Sequence, residues 1–354
     1  MNSPIPQILD LARWAPSGDN SQPWRFQIIN DRHFIIHGRD TREDCIYDLD
    51  GRPSQIALGA LIETAAIAAT GHGFELQCER RTGSTANELT FDINLLQRQD
   101  LVPSPLISAI PFRRVQRGLM QTRALSTLEV QLLQAALGPD YTLRLFCSWP
   151  ERLRWASLLW RNAGIRLRLP EAFDLHRRII QWGARFSPDR IPDQALGVGK
   201  LTLAMMRPAL ASWQRLDFIN TWLAGTIAPR LAMDWLPALA CAGHIAVAAR
   251  QPLTTVDDYV AAGRAVQRLW LTASQLGLQH QPAITPLVFA RYIRDGRVFT
   301  GRLAVAAQAL EMAKSLDSLL SGASESTVWL GRLGAGKPAL ARSERLTLGE
   351  LILE

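Results

Sequence analysis

From about Pro53 to Thr70 the sequence places Ile56, Leu58, Ala60, Leu61, Thr64, Ala65 and Ala68 so that apolar residues cover almost the whole helical circumference. A helix that is apolar all round has to sit inside the protein, with other elements packed on every side. It is approached through Asp48-Leu49-Asp50-Gly51-Arg52 and closed by Gly71-His72-Gly73. Upstream, a short amphipathic helix built on Ile5, Ile8, Leu9 and Ala12 is ended by Pro16. Trp24 to Ile29 and His33 to His37 then read as two strands turning at Asn30-Asp31. Downstream, Phe74 to Glu79 and Leu89 to Ile93 read as a second pair across Thr82-Gly83-Ser84. Helix, strands, buried helix, strands is an α+β pattern.

At 354 residues the chain can bury a large core as one domain or two lobes. An apolar fraction of 47% with 20% charged residues suits a soluble globular protein and excludes a disordered one. The longest apolar run, Trp235 to Ala249, holds a Pro and a His and is too short to span a bilayer. No basic stretch followed by an apolar one opens the chain, and Cys45, Cys78, Cys147 and Cys241 lack metal or redox spacing, so a cytoplasmic location is expected. The net charge of +7 invites nucleic-acid binding, but the arginines are dispersed through helical segments, and many of the eleven tryptophans lie among apolar neighbours. Neither nucleic acid nor membrane is therefore an expected partner. There is no metal-ligand spacing, nucleophile elbow, Walker A or dinucleotide fingerprint, and Gly197-Val198-Gly199-Lys200 lacks the spacing and preceding strand of a phosphate loop.

Three polar segments stand out. Pro16-Ser17-Gly18-Asp19-Asn20-Ser21-Gln22 offers a hydroxyl, two carboxamides and a glycine, which suits a polar, planar or phosphorylated ligand and equally suits a turn. Arg113, Arg114 and Arg117 lie ahead of a helix opened by the Ser126–Glu129 capping box and running to about Leu137. Several guanidinium forks hold a phosphate monoester well, although such a run also occurs as a solvated basic turn. Arg342, Ser343 and Arg345 precede a second capping box, Thr347 and Glu350. Between them, Ala242 to Val247 and Ser326 to Leu333 read as strands, and a helix capped near Thr254 or Thr255 ends at Leu276-Gly277-Leu278, followed by a Gln279-His280-Gln281-Pro282 loop. His280 could donate a proton, but a lone loop histidine is ordinarily solvated.

Ala15-Pro16-Ser17-Gly18-Asp19-Asn20-Ser21-Gln22-Pro23-Trp24-Arg25-Phe26 resembles the A-P-S-x-x-N-x-Q-P-W-x-F segment of the nitroreductase-like FMN flavoprotein superfamily. Residues 113–117 are similar to its R-R-S-x-R phosphate segment with Val115 in place of Ser, and 342–345 to its closing R-S-x-R segment. The order of the segments, with the Asp-x-x-Gly-Arg approach to a buried helix, resembles the two-lobed Acg-type branch. The resemblance implies a nitroreductase-like α+β fold of two lobes, 1–105 and 106–354, each with a mainly antiparallel sheet, the two imitating a dimer within one chain. A helical insertion would occupy about 150–232, and the protein would be a monomer with this internal pseudo-dimer or a homodimer. It further implies FMN held by Pro16, Ser17, Asn20, Gln22, Arg113, Arg114, Arg117, Gln281, Pro282, Arg342, Ser343 and Arg345. The implied activity is electron transfer from NADH or NADPH through flavin N5 to a small-molecule substrate, with no catalytic acid or base assigned. FMN sequestration with little turnover, flavin-dependent dehydrogenation in biosynthesis and a flavin-free scaffold stand as alternatives.

Overall fold

The computed structural model describes residues 3–353 apart from 84 and 86; Ser84 of the expected turn thus lies outside the described residues. The first half comprises α1 (Ile5–Ala12), β1 (Trp24–Asn30), β2 (His33–Arg39), α2 (Arg52–Thr70), β3 (Phe74–Arg80) and β4 (Glu88–Gln97). Its strands form an antiparallel sheet in the order β1-β2-β4-β3. The second half comprises α3 (Thr127–Leu137), β5 (Tyr141–Phe146), α4 (Trp149–Arg166), β6 (Gly243–Ala249), α5 (Val256–Gln275), β7 (Leu278–Pro282), α6 (Thr285–Arg294), α7 (Leu303–Leu319) and β8 (Thr327–Ala335). Here the antiparallel order is β7-β8-β6-β5. Both halves therefore follow one plan: two strands, a long helix, two strands, with the fourth strand lying between the second and third.

The two long helices, α2 and α5, pack directly on each other at the centre. They approach so closely that a methyl group on Gly59 would lie 2.0 Å from the Val260 carbonyl oxygen, and one on Gly263 2.1 Å from that of Ile56. Only glycine permits such backbone contact. Polar residues at this seam are paired across it: Gln267 donates to Thr64 Oγ1 at 2.9 Å, and the buried Glu63 carboxylate takes Arg264 at 2.8 Å and Arg268 at 3.0 Å. Asp48 anchors the start of α2, accepting from the Ser54 amide at 3.1 Å and the Thr41 amide at 2.9 Å.

Segments cross between the halves in both directions. Ile46 packs in the core around α6 and α7, Tyr292 donates its hydroxyl to the Ile46 carbonyl, and half-buried Asp50 pairs with buried Arg291 at 3.1 Å. In return the closing segment, placed in the second lobe by its position in the chain, packs against the first sheet: Leu351 joins that core and the Leu353 amide donates to the Phe26 carbonyl at 2.7 Å. Residues 279–282, expected as a loop, form β7 together with Leu278, expected as the helix end, because each pairs with β8 in unbroken register from Leu278–Ala335 to Pro282–Gly331. Between β5 and β6 the inserted segment includes α4, the helices Lys200–Ala209 and Trp213–Trp222, and a small core of Phe173, Ile180, Ile191, Leu196 and Leu210. No helix among the described residues is long and apolar enough to cross a membrane.

Candidate cofactor site

The loop after α1 is bent hard. Asp19, Asn20 and Gln22 all have positive φ (52°, 63° and 46°), a region that costs a non-glycine residue about 1–2 kcal/mol. Hydrogen bonds hold it there. Ser17 Oγ accepts from the Gln22 amide at 3.0 Å, and Gln22 Nε2 donates to the Asn20 and Pro188 carbonyls at 3.2 and 2.8 Å. Gln22 Oε1 accepts from the Leu346 amide at 2.9 Å. Asn20 donates to the Pro188 carbonyl at 3.0 Å and accepts from Arg345 at 2.8 Å. Asn20 and Gln22 thus spend their carboxamides on the protein itself, tying the N-terminal loop to the insertion and to the closing segment.

This loop forms one wall of a cavity of about 880 Å³, large enough for a cofactor. All twelve residues expected at a ligand line it: Pro16, Ser17, Asn20 and Gln22, then Arg113, Arg114 and Arg117, then Gln281 and Pro282, and finally Arg342, Ser343 and Arg345. Residues more than 300 positions apart in the chain meet there because the closing segment returns to the first half.

Two of the arginines reach the Trp14–Ala15 backbone and a third lies over the Trp14 ring while donating to the Pro111 carbonyl at 2.7 Å. Arg113 donates to the Trp14 carbonyl at 2.8 Å, Arg345 donates to the Ala15 carbonyl at 3.0 Å, and the Arg342 guanidinium lies 4.4 Å from the Trp14 ring centroid. Arg113 and Arg345 are 5% and 9% exposed, yet none of the three pairs with a carboxylate among the described residues. Burial, followed by repulsion from Arg345 and Arg342, lowers the pKa of Arg113 well below its ordinary value. Burial and then Arg342 bring Arg345 down to about 9. Arg113 Nε is buried without a partner. Desolvating a cation costs several kcal/mol unless an anion compensates, so this cluster is built for an anionic group. Arg114 and Arg117 are tethered elsewhere, donating to the Ala339 carbonyl at 2.9 Å and the Ala195 carbonyl at 3.2 Å.

Beside the cluster, beginning with Trp270 under the Arg113 guanidinium at 4.5 Å, the lining turns apolar. Ile56, Ala57 and Ala60 come from α2, Val266 and Trp270 from α5, and Trp329 from β8. The crossing of the two central helices therefore supplies a surface suited to a flat aromatic body. Together, the cationic cluster and this surface fit FMN, which has a phosphate at one end and an aromatic ring system at the other.

His280 is buried behind this surface rather than solvated. Nδ1–H donates to the Arg332 carbonyl at 3.1 Å and Nε2 accepts from Trp329 Nε1–H at 3.1 Å, which defines the neutral tautomer. Burial lowers its pKa to about 3, so it carries no transferable proton near neutrality. Arg332, which sequence reasoning missed, is 2% exposed and works as a clip. It donates to Gln281 Oε1 at 2.7 Å and to the carbonyls of Pro237, Arg117 and Gly118 at 3.0, 2.9 and 2.7 Å. An arginine inside the otherwise apolar run Val328–Leu333 was the available signal.

The fold and the site define an α+β protein with two sheets of matching plan and an arginine-rich cavity lined from both halves. No family model matches the chain. Among curated proteins it is similar to the uncharacterized protein MT1398 of Mycobacterium tuberculosis, 25% identical over 294 residues, or 81% of this chain and 40% of that one. The chain thus spans about 40% of the length of that relative. Among solved structures it is similar to an FMN-bound nitroreductase from Bacteroides fragilis, with a TM-score of 0.38 and 11% identity over 71% of this chain and 99% of the other. It is also similar to the FMN-dependent nitroreductase NfnB of Mycobacterium smegmatis in complex with NADPH, with a TM-score of 0.35 and 14% identity over 68% and 94%. At such TM-scores and identities, the functional reading rests on the chain's own segments and cavity.

Proposed function

We propose that the protein is an FMN-dependent oxidoreductase of the nitroreductase-like superfamily, its lobes 1–105 and 106–354 acting as an internal pseudo-dimer around one flavin. The observation that carries this reading is the cluster of Arg113, Arg342 and Arg345, without an ion pair among the described residues, in the same cavity as an apolar surface from α2 and α5. Arg113 and Arg342 hold the phosphate, the Ser17 hydroxyl donates beside them, and Arg345 adds charge while its own hydrogen bonds fix the loop. Gln281, whose carboxamide oxygen is taken by Arg332, keeps its amide N–H groups for an acceptor on the ring. Bound there, FMN would supply electron transfer from NADH or NADPH to a small-molecule acceptor. The chain's part is to bind, orient and exclude water, and the neutral His280 moves no proton.

A second reading, flavin sequestration, is favoured by Leu175, Ile179, Ile191 and Ala195, inserted residues that line the same cavity. One experiment separates the two. Purified protein is expected to carry a flavin visible spectrum that bleaches on anaerobic addition of NADH or NADPH. A spectrum that persists through the addition supports sequestration, and failure to bind added FMN refutes both.

A further inference from the structure

At the other end of the cavity the charges are of mixed sign. Asp19 lines it on the strained loop, with no ion pair within 4 Å among the described residues, and burial raises its pKa despite the opposing Arg117, Arg166 and Arg178. Arg117 spends one donor on the Ala195 carbonyl, and Arg178 spends one on the Asp44 carbonyl at 3.0 Å. Their other N–H groups remain for the cavity. Arg166 is already paired with Asp234 at 2.8 Å, and Asp189 with Arg190 at 3.6 Å. Asp44 and Asp48 also line the cavity, with Asp48 accepting from Thr41 and Ser54; beside them Tyr47 donates its hydroxyl to His176 Nε2 at 2.8 Å, and burial pushes the Cys45 thiol up to about 12.

This end is separate from the phosphate cluster. Val115 forms a parallel bridge with His280, and the arginines on either side of it are anchored in different directions. Arg113 is tied to Trp14, whereas Arg117 is tied to the insertion. One phosphate at the first site therefore leaves the second unfilled. Opposite charges held apart around open space suit a ligand that is itself dipolar. A plain anion between Arg117 and Arg178 would face the Asp19 carboxylate, whereas a ligand with an N–H donor beside its carboxylate satisfies all three.

Resting on the flavin reading of the same cavity, we propose that its second substrate bears an amino-acid-like head, the carboxylate bound by Arg117 and Arg178 and the ammonium or amide N–H by Asp19. The role of Asp19 is to select that head, and the inserted segment supplies Arg178 for the purpose.

Three probes with one nitroaryl body test this by calorimetry on the flavin-loaded protein: para-nitrophenylalanine, para-nitrophenethylamine without the carboxylate, and para-nitrophenylpropanoate without the ammonium. The amino acid is expected to bind about tenfold or more tightly than either, the scale of one charge-assisted hydrogen bond. Asp19→Asn keeps a residue tolerant of positive φ and is expected to erase the advantage over the propanoate. Arg178→Met, at an exposed position, is expected to erase the advantage over the amine. Equal affinity for all three probes, or variants that leave their order unchanged, overturns the proposal. The flavin spectrum of the same samples is read alongside: its presence with unselective binding rejects the head-group assignment alone, and its absence rejects the flavin reading.

Discussion

Arg113→Met separates ligand binding from folding. In the free protein the substitution removes a hydrogen bond from a charged donor to the Trp14 carbonyl, about 1.5–3 kcal/mol. It also removes a cation–π contact with Trp270 at 4.5 Å, up to about 2 kcal/mol when desolvated. Against these stands relief of a 5% exposed cation that has no carboxylate and two guanidinium neighbours, a burden of several kcal/mol. The two sides offset, so unfolding of the apoprotein by urea is expected within about 2 kcal/mol of wild type, with stabilisation as allowable as loss. Binding is expected to suffer far more. Losing one partner of a buried charge pair with the FMN phosphate costs about 2–5 kcal/mol, roughly thirtyfold to a few thousandfold in affinity. Titration of FMN against the apoprotein, followed by quenching of flavin fluorescence, measures it. An apoprotein weakened by more than about 3 kcal/mol, with FMN affinity unchanged, would refute the anion role and make Arg113 structural.

Gly263→Ala drives a methyl group against the Ile56 backbone, which cannot yield without parting α2 and α5, and should cost about 1–3 kcal/mol or more in urea unfolding; Gly349→Ala, with open space around it, should cost almost nothing. Gln22→Ala strands the Leu346 amide, whereas the Pro188 carbonyl keeps its bond from Asn20, and should cost about 1–3 kcal/mol, with FMN affinity falling as the loop loosens. Burial lowers the pKa of His176 to about 4 and those of His244 and His280 to about 3. Each folded value lies below the unfolded value of about 6.5, so the unfolded chain takes up protons first, and stability is lost as pH falls from there. The loss is about 2 kcal/mol per buried histidine by pH 5. Asp19 and Asp48, whose carboxyls burial pushes up, act in the opposite sense at lower pH. A stability that stays flat between about pH 7 and pH 5 contradicts the buried neutral histidines.

Much of the fold was legible because periodicity reports burial directly. The apolar circumference of 53–70 marks the central helix, and the capping boxes at Ser126 and Thr347 and the cap expected near Thr254 or Thr255 fall where helices begin. Legibility failed where tertiary pairing decides. Gln279-His280-Gln281-Pro282 has neither alternation nor β-branched residues, yet β8 draws it into the sheet and buries His280. The exchange of segments between halves is equally silent in the sequence, since nothing near Leu351 states which core will receive it. At the site, residue types were readable and their duties were not. Asn20, Gln22 and Arg345 look like ligand contacts, but their polar atoms are spent on one another and on backbone, a fact that depends on the loop's positive φ angles. Arg117 sits two residues from Val115 in a compact basic run, and only the tertiary structure, which ties it to Ala195 and ties Arg113 to Trp14, parts the two.

The most direct measurement compares FMN with riboflavin, which lacks the phosphate, on the same apoprotein. If Arg113, Arg342 and Arg345 form a phosphate cradle beside an apolar ring surface, FMN binds about a hundredfold or more tightly than riboflavin, and Arg113→Met removes most of that gap. Equal affinity for the two flavins, or no affinity for either, contradicts it.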